Sequence, residues 1–173
     1  RAGLIPALRR GQPLFDNSLP PEGSTRWPIH TFNPGASPLE ALAATLTRDE
    51  ASVTATAILQ EDFQRDPRSL HLYVRKLASR ANSNRLLLVV DQFEELFTVC
   101  KDDAQLKKAF VDKLTRLLKD VDVICPLAAL VGAPLCNADK VGAESINRGA
   151  VENLVRLASR QARIIIPITN SGY

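Results

Sequence analysis

Apolar and polar positions alternate along this chain in blocks that predict helices and short strands in turn. Arg1 to Gly11 reads as the end of a helix, with basic residues near its C-terminus and Gly11 as the stop. Gln12 to Arg26 is predicted to be a loop, because seven of the eleven prolines fall within the first 38 residues. Trp27 to Phe32 predicts a strand with Pro28 confined to its start. The Pro-Gly turn at 34–35 then leads to Ser37-Pro38, which opens a helix through about Leu46. Helices are expected over Ala51–Gln64 and Arg68–Ala81, separated by Asp66-Pro67. Asn82-Ser83-Asn84 ends the second before a five-residue aliphatic run, Leu86 to Val90. That run is short for a helix and suits a parallel strand covered on both faces. Beyond Lys101, Leu106, Phe110, Leu114 and Leu117 form a stripe at helical spacing, read as ordinary core packing. Strands are expected near Val123 and Ile164, and between them Ile146, Ala150, Leu154 and Leu157 share a helix face. Strands alternating with helices predict an α/β fold with an open, mainly parallel sheet and flanking helices.

Composition narrows the class. The chain has 173 residues with 45% hydrophobic and 24% charged content, enough for a real core. A scattered net charge of +3 argues against nucleic acid as a partner. No apolar stretch reaches the roughly 18 residues a membrane span needs, so no membrane association is expected. Cys100, Cys125 and Cys136 show no paired metal spacing, which suits reduced thiols and a cytoplasmic location. His30 and His71 are isolated and are assigned surface or packing roles. The sequence has no Met and opens on Arg1, so it is expected to be part of a longer protein.

Candidate chemistry begins where the aliphatic run ends. Asp91 follows it directly and is expected at the carboxyl edge of a parallel strand, where open α/β sheets bind ligands. This is the layout of a Walker B element, in which one fixed carboxylate holds Mg²⁺ beside nucleotide phosphates. Glu94 and Glu95, one turn further on, are candidates to orient an attacking water. The competing reading is a buried strand whose end is solubilised by acids that also favour the next helix N-terminus.

The wording of three segments supports the first reading. The string VVDQFEELF resembles the Walker B segment of the novel STAND NTPases, signalling ATPases of the P-loop class. RAGLIPALRRG is similar to the helix after their phosphate-binding loop, and WPIHTFNPGASPLEALAATL to their next strand and helix. The resemblance covers residues 1–118. It implies a P-loop-like domain, ATP with Mg²⁺ on Asp91, catalytic acids at Glu94 and Glu95, and repeat or effector domains elsewhere in the same chain as partners. The Walker A motif GxxxxGK[ST] does not occur among these residues, so this polypeptide by itself is not expected to hydrolyse ATP.

From Val121 onward the wording resembles a different family, the extended short-chain dehydrogenase/reductases or NAD-dependent epimerase/dehydratases. Pro126-Leu-Ala-Ala129 lies where that family has a strand ending in His-Leu-Ala-Ala, and Ile168-Thr-Asn-Ser-Gly-Tyr173 resembles its stretch leading to Tyr-Gly. The resemblance implies a Rossmann-like βαβ piece over 119–173. Ala128, Ala129 and Asn147 would then lie by NAD, with Thr169, and Ser171 second, as the substrate-polarising hydroxyl. The residues themselves also read as an ordinary turn after a strand. Both that family's Gly-rich loop and its YxxxK pair are missing. Three readings follow: part of a STAND-class ATPase, part of a NAD-dependent sugar epimerase/dehydratase, and a non-enzymatic α/β scaffold or chimeric product of a junction near Lys119; the first is expected for family identity and the third for the activity of this polypeptide by itself.

Overall fold

A computed structural model of the chain describes residues 3–14, 16–83, 85–93, 95–100, 104–127 and 133–166. The chain divides into two compact units, 1–107 and 108–173.

In the first unit, helix α1 (Leu4–Arg10) stops at Gly11, whose left-handed backbone lets its N–H return to the Ala7 carbonyl. A 3₁₀ turn at Ser24–Arg26 leads to strand β1 (Ile29–Phe32). The strand starts later than the apolar pattern suggests, because Pro28 has no N–H for a ladder. Helix α2 (Pro38–Leu46) starts with Pro in its first turn and packs on β1. Helix α3 (Ala55–Arg65) begins four residues later than predicted, since Ala51 to Thr54 form turns tied by a Ser52–Thr54 hydroxyl bond of 3.0 Å. Helix α4 (Ser69–Arg80) ends in a Schellman motif. There Ser83 N–H bonds Ala78 O at 3.0 Å and Asn82 N–H bonds Ser79 O at 3.1 Å, with Asn82 at φ 47°. Strand β2 (Leu87–Val90) follows, then the short helix α5 (Glu95–Thr98).

Strands β1 and β2 pair in parallel, with Ile29 opposite Leu87 and Phe32 opposite Val90. Trp27, below the amino end of β1, carries the Arg85 guanidinium 5.6 Å from its ring centre, and this contact joins the two strand starts. Leu39, Leu42, Ala43 and Leu46 of α2 are buried, as are Leu59 and Phe63 of α3 and Leu70 of α4. With Leu8, Phe32 and Leu96 these residues belong to the core of the unit. All four β2 residues are half-buried, so the expectation of a strand covered on both faces is corrected. Among the described residues its sheet has only two strands.

The boundary between the units falls within helix α6 (Ala104–Leu117). Phe110, from the predicted stripe, is fully buried, and so, against the stripe's pattern, is Lys113. The second unit holds strand β3 (Val123–Ile124), helices α7 (Ala133–Ala138), α8 (Lys140–Glu144) and α9 (Ala150–Leu157), and strand β4 (Arg163–Ile164). A π-helical turn over Ser145–Gly149 joins α8 to α9. β3 pairs with β4 in parallel. The expected single open sheet is thus replaced, among the described residues, by two separate parallel pairs. Two-residue strands have few ladder bonds to give, and β3 and β4 give theirs to each other through Arg163 N–H to Asp122 O and Ile165 N–H to Ile124 O. The architecture is mixed α/β with short parallel strands.

Candidate functional site

The carboxyl ends of β1 and β2 form one rim. Asp91 is the first residue past β2, and its N–H donates to the Phe32 carbonyl at 2.9 Å, which extends the ladder by one bond. That bond fixes the Asp91 backbone at the strand end, and the side chain is half-buried there. The chain then turns sharply. Gln92 adopts φ 51°, a left-handed conformation costing a side-chain-bearing residue about 1–2 kcal/mol. Its side-chain oxygen accepts a hydrogen bond from the Asn33 amide on the β1 side.

A second crossing bond lies one step further out. Glu95 opens α5, and its carboxylate accepts the Gly35 N–H at 3.1 Å. Gly35 sits at φ 57° in the turn between β1 and α2, a conformation open to glycine at no steric cost. Leu96, fully buried, anchors the same helix. Three bonds therefore tie the two strand ends together: Asp91 to Phe32, Asn33 to Gln92, and Gly35 to Glu95.

Of the residues singled out by sequence, Asp91 and Glu95 come to this rim. Glu94, Ala128, Ala129, Thr169 and Ser171 lie outside the described residues. Asn147 lies on the π-helical turn of the second unit with its side chain exposed. The roles of Asn33, Gly35 and Gln92 were missed. Gly35 was read as a turn residue only, and nothing in the spacing of Asn33 and Gln92 reveals that they meet across two strands 59 residues apart.

The donor set can be tested against a cation. Among the described residues no group of three or more His, Cys, Asp or Glu could hold a metal ion. A single carboxylate at a half-open strand end does not suit zinc, which takes three or four protein ligands. It does suit Mg²⁺, which keeps several waters and shares its shell with phosphate oxygens.

The family described as Novel STAND NTPase 1 matches residues 1–167. The chain belongs to that family. No solved structure matches it. As a novel STAND NTPase the chain is of a nucleotide-binding class. The match also runs through the segment that resembles the epimerase/dehydratases, and no finding supports that second family or NAD binding there. No helix among the described residues is long and apolar enough to cross a membrane.

Proposed function

We propose that the rim at Asp91 is the metal side of an ATP site in a STAND-class ATPase. One observation carries the reading: Asp91 leaves a parallel strand at its carboxyl end with its backbone bonded to the neighbouring strand, in a chain of an NTPase family. Mg²⁺, when bound with the nucleotide, neutralises charge across the phosphates. Asp91 is the residue that would hold it. Glu95, tethered by Gly35, and Glu94, its neighbour in the sequence, are the acids assigned to orienting water. The Gly35 tether keeps the Glu95 side chain at the rim and leaves its other oxygen to act.

The phosphate cradle of P-loop enzymes is built by GxxxxGK[ST], which these 173 residues do not contain. The metal ligand and the acids are assigned to these residues, and the anion-binding loop is not among them. Turnover of Mg·ATP by this polypeptide alone is expected to be absent. Asp91-dependent turnover would overturn that division.

The metal assignment is tested with Mn²⁺ as the probe in place of Mg²⁺. Paramagnetic broadening is expected to centre on the Asp91 and Gln92 amides and to disappear in Asp91→Asn. Broadening centred elsewhere, or unchanged in the variant, would refute the assignment.

A further inference from the structure

The opposite end of β1 holds a second cleft. It is an open cleft of about 380 Å³ walled by Trp27, Leu46 and Leu77, with Arg26, His30 and Asp49 among its polar residues. That volume lies within the range of small-molecule sites. It belongs entirely to the first unit and owes nothing to the nucleotide reading of the rim at Asp91.

The polar groups of this cleft are not all spent. Glu50 and Arg80, which also line it, form an ion pair, and the Tyr73 hydroxyl donates to the same Glu50 oxygen at 3.1 Å. Arg26 and Asp49 face the same space yet make no ion pair with each other or with any other described residue. His30 Nδ1 lies 3.2 Å from the Thr45 carbonyl. A carbonyl only accepts, so the proton sits on Nδ1 and the neutral ring keeps Nε2 as an acceptor. Burial holds His30 below its ordinary value and keeps it neutral at pH 7.

Among the described residues the cleft therefore offers a cation and a carboxylate without an ion-pair partner, and a neutral acceptor, beside apolar walls. An inorganic phosphate would meet Asp49 and Glu50 as like charges, and a simple cation would meet Arg26 and Arg80. A molecule carrying both charges satisfies each group: its carboxylate takes the Arg26 fork, and its ammonium donates to Asp49 and His30. Leu46, Leu77 and Ala81 suit a short apolar side chain. We propose that this cleft binds a small zwitterion of the apolar α-amino acid class, with L-leucine the probe that fits its walls.

Trp27 is the single tryptophan of the chain and lines the cleft, so its indole N–H resonance is a local reporter. Titration of the purified chain with L-leucine is expected to shift that resonance saturably. Two half-ligands, 4-methylpentanoate and 3-methylbutylamine, each lack one charge and are expected to bind at least about tenfold more weakly, the scale of one lost charged hydrogen bond. Arg26→Gln and Asp49→Asn should weaken L-leucine to the same degree. Both positions are exposed, so neither variant is expected to lose the fold, which the dispersion of the other amide resonances verifies. No saturable shift with L-leucine or any other common apolar amino acid would overturn the proposal. So would half-ligands that bind as tightly as L-leucine, or variants that titrate like the original chain.

Discussion

Glu95 separates two roles that a carboxylate at such a rim can have. Its bond to the Gly35 N–H is positional, and a neutral amide oxygen at the same place can accept that hydrogen bond, more weakly than the carboxylate. Glu95→Gln is therefore expected to cost less stability than Glu95→Ala, which orphans the Gly35 N–H and costs about 0.5–1.5 kcal/mol in urea unfolding. Equal losses in both variants would mean that the charge, and not the tether, holds the rim. His30 gives a second residue-level test. Burial lowers its pKa from 6.5, against the raising influence of the Thr45 carbonyl and Asp49. Between that lowered value and 6.5 the unfolded chain binds the proton and the folded chain does not, so stability falls as pH drops below 6.5. Replacement by Gln keeps a donor for Thr45 O and removes the titration. The slope of unfolding free energy against pH over that window is expected to flatten in His30→Gln, measured by denaturation at fixed pH steps.

Helix α2 is the element on which the first unit depends. It packs on β1 and α3 through Leu39, Leu42, Ala43 and Leu46, and Leu42 is fully buried. Leu42→Ala should cost about 2–5 kcal/mol through lost burial and the cavity left behind, read from the urea midpoint of Trp27 fluorescence. A loss under about 1 kcal/mol would show that the neighbours collapse into the space. Elements such as this one were legible because their signals are local. Pro38 in the first helical turn, Gly11 at a helix stop, and Asp66-Pro67 between helices each act through their own backbone. What escaped depends on partners or on hydrogen-bond period. The stripe Ile146, Ala150, Leu154, Leu157 assumes an unbroken period of 3.6, but Ala150 N–H bonds Ser145 O in a π turn. The extra residue rotates everything after it, so Ile146 and Ala150 are exposed while Val151, Leu154 and Leu157 are half-buried. Lys113 escaped for another reason: it is a charged residue outside the apolar stripe, and its burial depends on tertiary neighbours. At the rim, Asp91 and Glu95 were legible as carboxylates after a strand. The Asn33–Gln92 contact was not, because strand pairing brings it about.

The two units differ in how much they bury. Among the described residues, the buried apolar side chains of the first unit include Leu8, Phe32, Leu42, Phe63 and Leu96, whereas the second contributes Phe110 and Ala143. Val123, Val141, Val155 and Ile165 of the second unit are each about half exposed or more. Burial of apolar area is the dominant favourable term in folding, and its local density sets how readily a region opens. The two parallel ladders can then be compared as reporters, because each contains amides bonded across strands: Leu87 and Asp91 in the first, Arg163 and Ile165 in the second. Hydrogen exchange at Leu87 and Asp91 is expected to require opening of the α2-covered core, while Arg163 and Ile165 exchange through a cheaper event. Leu42→Ala should therefore speed exchange at the first pair and leave the second pair nearly unchanged. Matching protection at all four amides, falling together in the variant, would show one cooperative unit and contradict the uneven core as the source of stability.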